Sequence, residues 1–227
     1  MAEIYSASIE QNLDGTTFER LLGFLPLEEQ IRIKRYRLRE DQQRALVGAN
    51  LIRRVISAGT GMENRDIVLL RNENDKPFLK GGGGFHFNLS HSGKWVVCIS
   101  GNSEVGLDIE EMKPLDISLG EGLFSGSEYE ALKKLPKEQK LKRFYELWTL
   151  KESYIKAVGR GLEIPLASFS IEMKAGEIKL MTEAEGDFLF KQYEIDKGYA
   201  LAACSKGEAL PDRINKVDFT YHWHSVK

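Results

Sequence analysis

Cysteine is scarce in this sequence. Two cysteines occur among 227 residues, Cys98 and Cys204, and each lies in an apolar run typical of a β-strand. Disulfide frameworks need many cysteines in a short secreted chain, and zinc sites need cysteines and histidines at short spacing. The pattern argues against both and predicts two buried free thiols.

Long apolar runs and a strong net charge are absent as well. No stretch of about 18 apolar residues occurs, and residues 1–5 lack the basic and apolar regions of a signal peptide. We therefore expect a cytoplasmic chain without a membrane span. Its net charge is −2, so no global field draws it to nucleic acid, and any anion site must be local.

The remaining composition is that of a soluble globular protein, with 42% hydrophobic and 29% charged residues. The length suffices for one large or two small domains. The sequence begins with one strand and continues with a group of helices, a group of strands, a second group of helices and a last group of strands. This order predicts an α+β fold with mostly antiparallel sheet. The helical runs lie near 41–58, 125–132 and 138–158; the strand-like runs lie near 3–9, 66–70, 95–100, 105–110, 167–172, 188–193, 199–204 and 217–223.

The segment Gly106-Leu107-Asp108-Ile109-Glu110 places two carboxylates two residues apart. On a strand, side chains alternate between faces, so Asp108 and Glu110 point one way while Leu107 and Ile109 point into a core. Adjacent carboxylates repel each other and are stabilised by a shared hard cation such as Mg²⁺. A solvated acidic edge is the alternative reading of this pentapeptide alone.

A second motif, Trp148-Thr149-Leu150-Lys151-Glu152-Ser153-Tyr154-Ile155-Lys156, lies in the longest helical run. Glu152 and Lys156 are one turn apart and could form an ordinary surface pair. Alternatively, Glu152 is a third oxygen ligand or a base beside Asp108 and Glu110. Lys151 and Lys156 would then flank it and hold phosphates.

Together these motifs resemble the 4′-phosphopantetheinyl transferases. The upstream segment Phe87-Asn88-Leu89-Ser90-His91-Ser92 matches that family's motif, and Asn74-Asp75-Lys76-Pro77 resembles its Gly-Lys-Pro turn, with Asp75 where glycine is usual. The resemblance spans nearly the whole chain. Its length and the residues after Gly161 resemble the larger, Sfp-type branch.

The resemblance implies a pseudo-twofold monomer of two similar α/β halves, with the active site in the cleft between them. Residues 1–110 would form the half that contacts coenzyme A, and residues 111–227 the half with the glutamate helix and the carrier-protein contacts. The implied reaction transfers the phosphopantetheine arm of coenzyme A to a serine of an apo acyl or peptidyl carrier protein. Adenosine 3′,5′-bisphosphate is the other product.

The resemblance also implies the site residues. Mg²⁺, which Mn²⁺ could replace, would be held by Asp108, Glu110 and Glu152. Catalysis would depend on Glu152 as base, acting directly or through a metal-bound water, and on Lys156, which stabilises phosphate charge. Coenzyme A would contact Arg32, Lys76, Ser90, His91, Lys151 and Lys156.

One position departs from the family pattern. The family often binds the 3′-phosphate with two lysines one helical turn apart, and this sequence has Glu29 and Arg32 there. Arg32, Arg35 and Arg44 remain candidates for that contact, and a solvated basic helix face is the alternative.

The carrier is not specified by these motifs: fatty-acid, polyketide and peptide synthetase carriers all remain open, with the branch resemblance favouring secondary metabolism such as antibiotic synthesis. A glycine-containing loop at 115–124, rich in leucine, is the candidate carrier surface, with a basic rim. The rim residues are Lys133, Lys134, Lys137 and Lys140. The alternative is that this loop tucks its apolar residues onto its own core.

Two other functions fit the same residues. A Mg²⁺-dependent phosphohydrolase could use the three carboxylates and would release free phosphopantetheine. A binding module with a decayed site would bind coenzyme A or a carrier without turnover, although the intact Asp108, Glu110, Glu152 and Lys156 argue against decay.

Overall fold

A computed structural model describes residues 1–174, 176–182 and 186–219. Its helices are α1 (Gly15–Gly23), α2 (Leu27–Lys34), α3 (Arg39–Thr60), α4 (Gly120–Leu123), α5 (Gly126–Lys134) and α6 (Lys137–Val158). Its strands are β1 (Glu3–Ser8), β2 (Leu69–Arg71), β3 (Pro77–Leu79), β4 (His86–Ser92), β5 (Trp95–Gly101), β6 (Val105–Glu111), β7 (Ser170–Lys174), β8 (Glu177–Met181), β9 (Phe188–Tyr193), β10 (Tyr199–Lys206) and β11 (Ile214–Lys216). No helix in these ranges is long and apolar enough to cross a membrane.

The strands form two main sheets and two hairpins. The first sheet has the order β11-β1-β5-β4, and the second has the order β6-β10-β9. Pairing is antiparallel throughout except between β1 and β11. The hairpins β2–β3 and β7–β8 are antiparallel as well. The predicted α+β class with mostly antiparallel sheet is confirmed.

Each half of the molecule packs a helix of 22 residues on one sheet. In the first half α3 lies against β5 and β4, and in the second α6 lies against β6 and β10. Both helices end at a glycine with positive φ, 74° at Gly61 and 76° at Gly159, which a residue with a Cβ adopts only under strain. This shared plan confirms the two similar halves.

The two sheets meet over a shared apolar core. Leu107 and Ile109 of β6 are fully buried there with Val97 and Ile99 of β5 and with Leu201 of β10. The chain crosses between the sheets from β5 to β6 and returns with β11. Strand β6 therefore belongs to the second sheet, and the division into 1–110 and 111–227 stays a prediction.

Several predicted elements need correction. The polar segment 88–92, placed in a gap between apolar runs, lies in strand β4. The strand expected at 66–70 is a 3₁₀ turn over Asn64–Asp66 followed by β2. The run at 217–223 lies partly outside the described residues, and its Val217 is buried in the first half. Both predicted thiols, Cys98 and Cys204, are free and buried.

Candidate active site

A glycine brings the two predicted motifs together. A Cβ at Gly106 would lie 2.1 Å from the carbonyl oxygen of Ser153 and 2.3 Å from the amide nitrogen of Ala157. Only a residue without a side chain allows β6 to approach the backbone of α6 this closely. Gly106, Asp108 and Glu110 are two residues apart and therefore lie on one face of β6. The close contact at Gly106 thus directs both carboxylates toward α6.

Asp108 is the most buried of the carboxylates, with 3% of its surface exposed. Its Oδ1 accepts hydrogen bonds from Lys156 Nζ at 2.5 Å and from Ser90 Oγ at 2.9 Å. Burial raises the pKa of Asp108, and the charge and hydrogen bond of Lys156 oppose that rise. Leu107 and Ile109 are buried in the core on the other face of β6. This confirms the alternation predicted for residues 107–110.

Glu110 and Glu152 complete the acidic cluster. Burial raises the pKa of Glu110, and the charge of Asp108 raises it further, while hydrogen bonds from Ser92 and Trp148 lower it. Burial likewise raises the pKa of Glu152, and so do the charges of Asp108 and Glu110, while Lys156 lowers it. The charges of the three carboxylates therefore act on one another, and their role as ligands of one cation stays a prediction.

The carboxylates of this cluster are oxygen donors of the type that a small hard cation prefers. Asp108 Oδ2 is buried and has no hydrogen-bond partner among the described residues, and carboxylate oxygens suit Mg²⁺, which retains several waters. In residues 1–174, 176–182 and 186–219, no three His, Cys, Asp or Glu side chains are close enough to enclose an ion. Lys156 instead supplies the positive charge beside Asp108.

Ser90 belongs to this cluster through its hydroxyl. Its Oγ donates to Asp108 Oδ1 and accepts from Lys156 Nζ at 3.1 Å and from the Ile109 amide at 3.4 Å. A hydroxyl has one proton and two lone pairs. Its hydrogen-bonding capacity is thus used within the cluster, which corrects the expectation that Ser90 reserves its hydroxyl for a phosphate.

The structure places Lys76 under α6 and corrects its expected phosphate contact. Lys76 Nζ donates to the carbonyl oxygens of Lys156 at 2.6 Å and Ala157 at 3.0 Å. Burial lowers the pKa of Lys76 to about 8. Asn72 Nδ2 donates to the Gly159 carbonyl at 3.0 Å. The turn between β2 and β3 therefore satisfies the last carbonyls of α6 and holds the helix that carries Lys156.

Lys151 lies on another face of α6 from the carboxylates, and its expected phosphate contact is corrected too. Its side chain is fully buried, with Nζ 2.8 Å from Glu128 Oε2 and 2.6 Å from the Phe169 carbonyl. Glu128 also accepts the amide of Ile171 at 2.7 Å. Since the ammonium group has no exposed surface, it joins α5, α6 and β7 and does not reach a ligand.

A groove of about 680 Å³ lies between α2, α3, the β2–β3 hairpin and β4. Arg32 and His91, two of the predicted coenzyme A contacts, both line it, together with Arg44. Partial burial lowers the pKa of His91, and the positive charges of Arg44 and Lys156 lower it further. Asn88, which also lines the groove, accepts the amide of Leu107, so the groove reaches the strand that carries Asp108 and Glu110.

Glu29 lines this groove as well, and its charge is paired. Glu29 Oε1 accepts a hydrogen bond from Arg53 at 2.8 Å, and Arg53 is 4% exposed. Arg44 is bonded to Asp41 at 2.6 Å and to the Gly93 carbonyl at 3.0 Å. The negative charge that Glu29 introduces is therefore neutralised by Arg53, and Arg32 stays the predicted 3′-phosphate contact.

Sequence reasoning missed Asn88 and Ser92 as supports of the site. Asn88 Oδ1 accepts the Leu107 amide at 3.0 Å, and Ser92 Oγ accepts the Glu111 amide at 3.0 Å. The signal was present: polar residues at 88, 90 and 92 repeat with the same period of two as Gly106, Asp108 and Glu110. Gly106 and Glu128 were missed because their roles depend on α6.

Comparisons with known proteins agree with this arrangement. A family model described as "4'-phosphopantetheinyl transferase, N-terminal" matches residues 14–103, and one described as "4'-phosphopantetheinyl transferase superfamily" matches residues 104–204. The boundary between the two matches precedes β6.

Similar curated proteins cover nearly the whole chain. 4'-phosphopantetheinyl transferase Sfp of Bacillus subtilis is 34% identical over 96% of this chain and 98% of its own length. The gsp transferase of Aneurinibacillus migulanus is 34% identical over 90% of this chain and 86% of its own. A solved holo-(acyl-carrier-protein) synthase of Bacillus anthracis, in complex with CoA, is 23% identical over 46% of this chain and 95% of its own, with a TM-score of 0.41.

Proposed function

This chain belongs to the 4′-phosphopantetheinyl transferase superfamily, and on that premise we propose that it transfers the phosphopantetheine arm of coenzyme A to a serine of an apo carrier protein. The proposal rests on one observation above the others. Asp108, Glu110, Glu152 and Lys156, which come from β6 and α6, form one cluster in which Asp108 is buried and the other three are partly exposed. Charge of both signs in such a cluster suits a pyrophosphate and the cation that neutralises it.

Coenzyme A would occupy the groove, with its phosphates toward the cluster. Arg32 would carry the 3′-phosphate contact, and His91 would donate to a phosphate oxygen. Lys156 keeps about a quarter of its side chain exposed, 27%, while its Nζ contacts Asp108. Its ammonium group can therefore turn a remaining N–H toward the pyrophosphate.

The chemistry is an attack on phosphorus. The serine oxygen of the carrier forms a bond to the phosphorus next to the pantetheine arm, and the bond from that phosphorus to the bridging oxygen breaks. Adenosine 3′,5′-bisphosphate leaves with that electron pair. Glu152 takes the serine proton, and burial raises its pKa above the usual range of a glutamate, which makes it a stronger base. Lys156 stabilises the charge that develops on the phosphate oxygens.

A divalent cation, Mg²⁺ or Mn²⁺, would be held by Asp108, Glu110 and Glu152. When bound, it supplies positive charge against the pyrophosphate. The protein contributes the carboxylate oxygens, of which the buried Asp108 Oδ2 is without a partner among the described side chains.

The carrier protein would dock near the exposed part of the loop at 115–124. Phe124 is 2% exposed, and Leu115, Ile117 and Leu123 pack partly against the second half, whereas Leu119 is 57% exposed. Most of the loop's apolar residues thus serve the protein's own core. The proposed contact is Leu119 with a basic rim at Lys133 and Lys134, on a monomeric enzyme in the cytoplasm that serves peptide or polyketide synthetase carriers.

One experiment tests the function and separates the alternatives. The full chain is incubated with coenzyme A, Mg²⁺ and an apo carrier protein, and the carrier is weighed by mass spectrometry. We expect the carrier to gain the mass of phosphopantetheine, and the Asp108→Asn variant to leave it unmodified. Release of free phosphopantetheine would select the phosphohydrolase. Binding of coenzyme A without either product would select a binding module.

A further inference from the structure

Three polar side chains of β4 bind the backbone of β6 at a constant offset. Asn88, Ser90 and Ser92 accept the amides of Leu107, Ile109 and Glu111, each from a residue 19 positions later. Because residues two apart share a strand face, the three side chains form one row. This row, the β4 ladder, takes the place of a backbone ladder between the first and second sheets.

Two of these three side chains also bind the carboxylates. Ser90 Oγ donates to Asp108 Oδ1 at 2.9 Å, and Ser92 Oγ donates to Glu110 Oε2 at 2.9 Å. Each serine thus accepts a hydrogen bond from one backbone amide of β6. It donates its own proton to the carboxylate of the residue that precedes that amide in the chain. Asn88 reaches the same strand at Leu107, which carries no polar side chain.

The amide contacts determine the direction of the hydroxyl protons. A serine hydroxyl rotates freely unless one of its lone pairs is taken by a donor. The Glu111 amide takes one lone pair of Ser92 at 3.0 Å, and the hydroxyl proton then points at Glu110. A bond of this kind, together with the hydrogen bond from Trp148, restricts Glu110 to one rotamer.

We propose that Ser92 is a positioning residue that orients Glu110 for the divalent cation, in the way that Ser90 orients Asp108. The proposal rests on the cation site of the proposed function and assigns two roles within the β4 ladder. Asn88 binds an amide of β6 and no carboxylate, whereas Ser92 binds an amide of β6 and also sets the geometry of an oxygen donor. A side chain that merely joined the sheets would not affect the affinity for a cation.

The test is direct binding of Mn²⁺, measured by electron paramagnetic resonance on the full chain with saturating coenzyme A. We expect Ser92→Ala to weaken Mn²⁺ binding about 10-fold, the scale on which partners of metal ligands act. Ser92→Thr, which keeps the hydroxyl, should bind within about 2-fold of wild type. The KM for coenzyme A should be unchanged within about 2-fold in both variants.

Asn88→Ala is the matched control, because it removes a contact of the ladder that touches no carboxylate. It should lower the melting temperature and leave the Mn²⁺ affinity within about 2-fold of wild type. If Asn88→Ala does not fold, Asn88→Ser provides the same comparison with an acceptor retained.

The outcomes separate this inference from the proposed function. If Ser92→Ala binds Mn²⁺ as tightly as the wild type and its melting temperature is lowered as in Asn88→Ala, the positioning role alone is overturned. A wild-type chain that binds Mn²⁺ no better than Asp108→Asn would overturn the cation site and this inference with it. A loss confined to Ser92→Ala and restored by Ser92→Thr supports it.

Discussion

Lys156 Nζ lies 2.5 Å from Asp108 Oδ1, although the two residues are 48 positions apart and belong to different elements. The contact depends on Gly106, which lets α6 approach β6, and on Lys76, which binds the last carbonyls of α6. The positions of the proposed cation donors, the proposed base and the proposed phosphate-binding lysine are therefore all consequences of how one helix packs on one strand.

Neutralising Asp108 should abolish turnover without unfolding the chain. Asp108→Asn keeps the shape and removes the charge that attracts both a cation and Lys156. Burial already disfavours the charged form of Asp108, so we expect the melting temperature to stay the same or rise, while the rate falls at least about 100-fold. Carrier modification and thermal melts measure the two effects. Full activity of the wild-type chain in chelator would contradict the cation assignment.

Replacing Glu152 with Gln should lower turnover far more than coenzyme A binding. A positioned base contributes on the order of 10²–10⁴-fold. Because the pKa of Glu152 is raised above the ordinary value of 4.5, the wild-type rate should fall, as pH decreases, at a pH above that value. The base must be unprotonated, so activity is present above its pKa and lost below it. A rate reduced only a few-fold at saturating Mg²⁺ would exclude Glu152 as base.

Adding one methyl group at Gly106 should separate the helix from the strand. Gly106→Ala would place a Cβ 2.1 Å from the Ser153 carbonyl, and overpacking of this kind costs roughly 1–3 kcal/mol. We expect a lower free energy of unfolding and a loss of activity. Gly23→Ala is the control, because nothing lies within 4 Å of a Cβ there. Equal stability of the two variants in urea titrations would argue against the close packing.

Coenzyme A should bind with uptake of a proton at His91. Partial burial and the charges of Arg44 and Lys156 lower the pKa of His91 in the free protein, so the ring is neutral at pH 7. A nearby phosphate raises that pKa, and affinity should therefore fall as pH rises above the free value. Calorimetry in buffers of different ionisation enthalpy measures the proton. His91→Asn should remove the uptake, and His86→Asn should retain it.

Reversing two charges beside Leu119 should weaken only the carrier interaction. The triple variant Lys133→Glu, Lys134→Glu, Leu119→Ser should raise the KM for the carrier roughly 10-fold and leave that for coenzyme A unchanged, with a smaller effect at high salt. A variant reversing Arg65 and Lys80, both exposed in the first half, is the control. If neither KM moves, the carrier docks elsewhere, and residues 161–190 are the next surface to test.

Local features of this chain were predictable because they depend on near neighbours. The alternation of Leu107, Asp108 and Ile109 follows from the geometry of a strand. Ser125 and Glu128, three residues apart, form a capping box at the start of α5, a pattern that involves only near neighbours in the sequence. The helix that carries Glu152 was likewise predictable from its periodicity, with an end at Gly159.

What the sequence determined by itself, then, was the family, the α+β class and the residues that converge between β6 and α6. Which lysines face the site was decided only by tertiary structure. Lys151 and Lys156 share one helical motif, yet Glu128 buries the first away from the ligand while Asp108 draws the second into the cluster. Lys76 likewise binds the end of α6. A buried charge lies where a distant partner compensates its lost hydration, and no local pattern specifies that partner.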